Sequence, residues 1–365
     1  MTIAIFVLLV ALAAANGAND VSKGIATLAG AGVTRYRTAI AWGATATLLG
    51  GILSIVTGHA MGKLFSSGII GGQPVASFAL AVLVGTMTWV ALASVFRLPV
   101  STTHALVGSL IGAGLLFAPD AIHWASLLTK VVTPLLVSIV VAYAVSALLG
   151  IVLQRSRAGR SARTAPALPD AEPAGRTLAD GVTASGHGHP AAVLNQVRLE
   201  TETATEAKNA TAGNRIIAGL HWLSSGATCI ARALNDTPKI AAVGAFALIP
   251  AGMTADQITL TVAAAMGLGS LLGIRVAKTL GERVVHMDHL EGFRANAITA
   301  FLVGVGAQAG WPMSTTHVST GAITGIPGAN LSRLNGKILR DFVLAWTVTP
   351  VFGGLVAAGA YFIAR

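Results

Sequence analysis

The chain has 365 residues, of which 54% are hydrophobic and only 10% charged, and its mean hydropathy is +0.73. A soluble globular domain carries roughly 25% charged residues, so a water-soluble fold is excluded. The formal net charge of +10 sits next to apolar stretches rather than on a polar domain, which argues against nucleic-acid binding, and a single cysteine, Cys229, excludes an internal disulfide or a cysteine-based metal cluster.

Residues 1–15 form an apolar run ending in Ala13-Ala14-Ala15. No basic residue precedes that run and it continues into Asn19-Asp20, so a helix reaching about Gly32 is expected here rather than a cleaved signal. Uncharged stretches follow over Thr38 to Gly58, Leu64 to Phe96, Val131 to Leu153, Gln257 to Ile274, Ala295 to Ser332 and Phe342 to Ala364. Each reaches the roughly 18 residues of a membrane span. Their apolar residues run continuously rather than alternating, which predicts helices and not a β-barrel. Gln154 to about Asn214 breaks the pattern, with mixed charges among many Ala, Thr, Gly and Pro, and is expected to be a flexible linker. The expected organisation is a first transmembrane repeat over 1–153, a linker over 154–214 and a second repeat over 215–365.

The two halves share landmarks. Asn19-Asp20 returns as Asn235-Asp236, 216 positions on, and Val132-Thr133-Pro134 returns as Val348-Thr349-Pro350 at the same offset. Pro99-Val-Ser101-Thr102-Thr103-His104 returns as Pro312-Met-Ser314-Thr315-Thr316-His317. Hydroxyl-rich, Gly-punctuated segments are costly in lipid unless they line a polar site enclosed by protein, so two copies suggest one site built from two halves.

Charge placement sets the expected sidedness. Arg155, Arg157, Arg160 and Arg163 crowd the end of a span and mark the linker as cytoplasmic. With five crossings per half, inner loops hold Arg35, Arg37, Arg97, Arg275, Lys278, Arg283, Arg294, Arg333, Lys337 and Arg340, and outer connections hold only Lys63, Lys130 and the terminal Arg365. An odd number of crossings inserts the second repeat upside down and puts both termini outside. The fold class is therefore an all-α polytopic membrane protein of two inverted-topology repeats of about five helices each, with helices expected to break at the Asn-Asp and Ser-Thr-Thr-His motifs.

A tetrahedral oxyanion needs donors from several directions. Ser101, Thr102, Thr103, Ser314, Thr315 and Thr316 offer hydroxyls together with the free N–H groups of a helix start; ordinary capping and close helix packing are the competing explanation for the same residues. Asp20 and Asp236 lie in apolar sequence, where an ionisable residue is a functional candidate by default. Such an acid beside an anion requires a cation, and Asn19 and Asn235 add neutral oxygens suited to a small hard ion such as sodium. Lys23 and Lys239 stand three residues after each Asp, as auxiliary groups or as structural ion pairs. His104 and His317 suit a proton relay or plain packing. Arg232, one turn before Asp236, is a candidate partner for that acid or for the substrate, with Asn16 at its place in the first half. Gly186-His-Gly-His189 reads as solvated linker.

These motifs resemble the inorganic phosphate transporter family, whose mark is a Gly-Ala-Asn-Asp-Val signature in each half with a Pro-x-Ser-Thr-Thr-His segment. Gly17-Ala18-Asn19-Asp20-Val21 is intact and Ala233-Leu234-Asn235-Asp236-Thr237 is its divergent copy. The resemblance implies symport of inorganic phosphate with a cation, sodium or proton, by alternating access, with no cofactor. It assigns Asn19, Asp20, Asn235 and Asp236 to cation coordination and coupling, and the two Ser-Thr-Thr runs to phosphate. Many members have Asn where this chain has Lys23 and Lys239, and many have an acid in the second span where Thr38 to Gly58 has none. Some relatives carry sulfate and have lost the Asn-Asp pair, so its retention favours phosphate. The implied setting is a bilayer, the plasma membrane of a bacterium, and no helix-dimer motif decides between a monomer and a homo-oligomer.

Three competing functions remain at this stage. A sulfate or other oxyanion permease shares the motifs. An anion channel shares the hydroxyl lining but has no need of paired carboxylates. An intramembrane hydrolase using Ser101 or Ser314 needs one activated nucleophile, whereas both halves carry the same complement, which favours binding over catalysis.

Overall fold

The continuous apolar runs fold as helices throughout the described chain. The structure, a computed structural model, describes the backbone of residues 1–96, 100–164, 190–283, 287–328, 332 and 336–365. In the first half the helices are α1 (Thr2–Asp20), α2 (Ser22–Gly30), α3 (Tyr36–Thr57), α4 (His59–Lys63), α5 (Ala76–Val95), α6 (Thr102–Phe117), α7 (Trp124–Leu127) and α8 (Thr133–Thr164). In the second they are α9 (Pro190–Leu248), α10 (Ala255–Ser270), α11 (Ile274–Arg283), α12 (His289–Gln308), α13 (Thr315–Gly325) and α14 (Gly336–Ala364). Extended pairing among the described residues is a single bridge between Ile70 and Ile122.

Five helical segments are long and apolar enough to cross a bilayer: Thr2–Gly30, Tyr36–Thr57, Ala76–Val95, Trp124–Arg155 and Trp346–Ala364. A sixth forms if α10 and the start of α11, bent by 64°, count as one span. The other four of the ten expected crossings fall short for identifiable reasons. Helices α6 and α13 have 16 and 11 residues, α9 carries Arg232, Asp236 and Lys239, and α12 begins with Glu291 and Arg294 in its first two turns. Large apolar side chains stay exposed on the outer faces, among them Leu136, Val140, Leu268, Phe301, Val351 and Leu355, as a hydrocarbon surrounding requires.

One expectation about helix breaks needs correction. Helix α9 runs without interruption through Asn235-Asp236, although Pro238 lies inside it and withholds one main-chain donor. In the first copy α1 ends at Asp20 and α2 starts at Ser22, with Val21 between them at a φ of −55° and ψ of −31°, so the two form one span over Thr2–Gly30. The Ser-Thr-Thr-His motifs do start new helices. Ser101 and Ser314 sit at the N-caps in extended conformation (φ −94° and −86°), and each hydroxyl accepts the N–H of His104 or His317 at 3.2 Å. That satisfies one of the free donors of a helix start.

Packing recurs between the halves. Gly108 and Gly112 let α6 lie directly on the backbone of α14 at Pro350 and Gly354. A Cβ at Gly321 of α13 would stand 2.7 Å from the carbonyl oxygen of Ile139 on α8, and one at Gly325 would stand 2.6 Å from that of Tyr143. Each motif helix thus packs against the last long helix of the opposite half. The first helix joins in: Ile5, Leu9 and Leu12 are buried in a cluster that includes Phe78, Leu106 and Val243.

The chain divides into two compact units. Met1–Ile151 with Ala218–Arg365 contains every residue named in the packing above, and Val152–Ile217 forms the other. The expected linker is helical to Thr164 and again from Pro190, so regular helix replaces part of the flexible segment; Gly186-His-Gly-His189 lies outside the described residues, as do Arg97, Pro99 and Arg333.

Candidate functional site

The two Asn-Asp pairs and the two Ser-Thr-Thr-His segments meet in one buried cluster. Asp20, Lys23, Asp236 and Lys239 expose 1%, 1%, 3% and 1% of their surface, and Ser101 to Thr103 and Ser314 to His317 are likewise buried.

The same contacts are made twice. The main-chain N–H of Val100, which precedes Ser101, donates to Oδ1 of Asn19 at 3.3 Å, and that of Met313, which precedes Ser314, donates to Oδ1 of Asn235 at 3.2 Å. The Val100 carbonyl accepts from Lys23 Nζ at 3.1 Å and from the hydroxyl of Thr316 at 2.7 Å. The Met313 carbonyl accepts from Lys239 Nζ at 3.3 Å and from the hydroxyl of Thr103 at 3.4 Å. Each asparagine amide therefore grips the backbone just before its own motif helix, and Thr103 and Thr316 each reach across to the other copy. A side chain that clamps otherwise free main-chain groups is how irregular backbone persists at membrane depth.

The acids are drawn into both copies. Lys23 pairs with Asp20, and Lys239 Nζ lies 3.2 Å from Asp236 Oδ1. Thr315 Oγ1 stands 3.5 Å from Asp20 Oδ2, and Lys239 Nζ donates to Thr103 Oγ1 at 2.8 Å. The rings of His104 and His317 touch, with centroids 4.5 Å apart, and His317 also contacts Trp346 at 4.1 Å. His104 Nδ1 lies 2.7 Å from Ser101 Oγ, the oxygen that already caps the helix, so this Ser-His contact belongs to the capping turn.

Three residues that sequence reasoning passed over or left open complete the cluster. Arg232 does not spend its guanidinium on Asp236: Nη1 donates to Asn16 Oδ1 at 3.1 Å and Nη2 to Thr47 Oγ1 at 2.6 Å, while Nε is buried without a partner. Asn16 in turn donates to Thr102 Oγ1 at 2.8 Å and stands 3.4 Å from Asp20 Oδ2 and 3.5 Å from Asp236 Oδ2. Asn16 and Arg232 occupy equivalent places in the two halves, one turn before each Asp, and that spacing was the readable signal for Asn16. Thr47 is one of several hydroxyls in its span, with Thr38, Thr45, Ser54 and Thr57, and no such signal singles it out.

Counting fixed charges shows what the cluster can hold. Lys23, Lys239 and Arg232 face Asp20 and Asp236, an excess of one positive charge in a region shielded from water. Buried charge excess is strongly unfavourable unless a counterion accompanies it, so the cluster is suited to an anion. Hydroxyls from both copies and the two helix starts supply donors around it.

Comparison with known proteins agrees with this chemistry. A putative phosphate permease of Pyrococcus abyssi is 26% identical over 390 residues, covering 95% of this chain and 94% of its own length. A probable low-affinity inorganic phosphate transporter of Rhizobium meliloti is 26% identical, covering 96% of this chain and 92% of its own. A solved structure entitled "The sodium-dependent phosphate transporter" shares the fold, with a TM-score of 0.77 at 21% identity over 99% of this chain and 98% of that one. The family model described as "Phosphate transporter family" matches residues 16–357, from the first residue of the buried cluster into the last helix, and the chain belongs to that family.

Proposed function

We propose that this protein imports inorganic phosphate by symport with a cation, sodium or proton, through alternating access. It is a multi-pass membrane protein and a transporter, not an enzyme. The observation that carries the proposal is the buried cluster with one excess positive charge, to which both sequence copies contribute hydroxyls. Thr102, Thr103, Thr315 and Thr316 would contact the phosphate oxygens, with Arg232 supplying the unbalanced charge. Ser101 and Ser314 act first as caps that hold the helix starts in place. Asn19, Asp20, Asn235 and Asp236 couple the anion to the cation.

Two inverted repeats of five crossings each complete this reading, with α6, α9, α12 and α13 as the additional crossings. The reciprocal packing of α6 on α14 and α13 on α8 supports it, because movement of one motif helix would then be felt by the other half. The linker would lie in the cytoplasm and the termini outside, in a bacterial plasma membrane. Labelled phosphate uptake by proteoliposomes, with sodium and proton gradients imposed separately and excess sulfate as competitor, tests the proposal. Gradient-driven accumulation that resists sulfate is expected. Equilibration without accumulation would instead identify a channel, and full competition by sulfate a general oxyanion permease.

A further inference from the structure

Each lysine ammonium sits in a set of oxygens of the kind a hard cation selects. Around Lys23 Nζ are the carboxylate of Asp20, the amide oxygen of Asn19 at 3.4 Å and the main-chain carbonyl of Val100 at 3.1 Å. Around Lys239 Nζ are the carboxylate of Asp236 at 3.2 Å, the hydroxyl of Thr103 at 2.8 Å and the main-chain carbonyl of Met313 at 3.3 Å. Carboxylate, neutral side-chain oxygen and backbone carbonyl are the ligand types that bind hard metal cations. An ammonium is a compact point charge with three donors and no acceptor, so it uses such a set fully. Both lysines are buried three residues after their acids, Lys23 in α2 just beyond Asp20 at the end of α1, and Lys239 in α9 together with Asp236.

We infer that Lys23 and Lys239 are built-in cations that take the place of free sodium beside Asp20 and Asp236, so that phosphate uptake by this chain requires no sodium. A mobile cation would have to share three oxygens with a fixed positive charge in a site closed to water, where like charges repel strongly. The duplication strengthens the argument, since the lysine occupies the oxygen set in both copies. This inference rests on the proposed phosphate transport and narrows its coupling away from sodium. Arg232 is then free of any role in balancing the acids and remains for the anion.

The test measures saturable binding of radiolabelled sodium to purified, detergent-solubilised protein, alongside labelled-phosphate uptake by proteoliposomes in sodium or in choline at one pH. Wild type is expected to bind no sodium saturably and to take up phosphate equally in both salts. Lys23→Asn and Lys239→Asn, singly and together, remove the charge and add a carbonyl oxygen. They are expected to acquire saturable sodium binding and uptake about tenfold faster in sodium than in choline, within the range of site-to-site coupling. Saturable sodium binding by wild type, or wild-type uptake that fails in choline, would overturn the inference. Absence of sodium binding in well-folded variants would overturn it too, because the ammonium would then not be what excludes the ion. Failure of wild type to take up phosphate in either salt would count against the proposed transport, and the sodium-binding result would still decide the role of the lysines.

Discussion

Asp20 and Asp236 are held by residues that all have other work in the cluster, so neutralising either acid changes more than one bond. Asp20→Asn or Asp236→Asn leaves three cationic side chains facing one carboxylate and deprives Lys23 or Lys239 of its counterion. Uncompensated buried charge costs about 3–5 kcal/mol when one partner of a pair is removed. Uptake of labelled phosphate by either variant is expected to fall at least tenfold, with the protein still reaching the membrane, as measured by transport assay and immunoblot of membrane fractions. Normal uptake by both would remove the acids from coupling. At this scale the repeated residues were legible because each motif occurs twice in apolar sequence. Arg232 stayed ambiguous and Thr47 invisible because their pairing is asymmetric: Arg232 faces Asn16, its own counterpart, and Thr47 is matched by Ala263 at the same offset.

Helices in this protein approach as closely as their backbones allow, and the glycines of the motif helices set that distance. A side chain at Gly108 would collide with the main chain of Pro350, which cannot rotate away. Gly108→Val is expected to destabilise the protein by about 1–3 kcal/mol through overpacking, seen as a lowered thermal unfolding midpoint in detergent. Gly219 of α9, with nothing within 4 Å of an added Cβ, is the control: Gly219→Ala is expected to leave the midpoint unchanged or to raise it by the equivalent of about 0.4–1 kcal/mol. Equal midpoints for wild type and Gly108→Val would contradict the packing. Spans over Tyr36–Thr57 and Ala76–Val95 were readable from uncharged length alone. The continuity of α9 was not, since a duplicated polar pair in an apolar span suggests a broken helix, whereas in the fold Asn235 bonds the main chain of Met313 and α9 passes through Asp236 and Pro238 intact.

Across the whole molecule, the duplicated sequence appears as duplicated contacts: asparagine to the main chain before the motif, lysine to the same carbonyl, threonine across to the other copy. A single cluster built this way predicts that damage to either copy weakens the same binding event. Thr103→Val and Thr316→Val remove one hydroxyl from each copy with little change in shape, and Arg232→Gln removes the unbalanced charge. Loss of one hydrogen bond to a charged group is worth about 1.5–3 kcal/mol, roughly tenfold or more in affinity. Equilibrium binding of labelled phosphate to purified wild type and these three variants is therefore the most direct measurement. The predicted result is weaker binding in all three, with Arg232→Gln the most affected; wild-type affinity in variants of one copy alongside loss in the other, or in Arg232→Gln, would contradict a shared site.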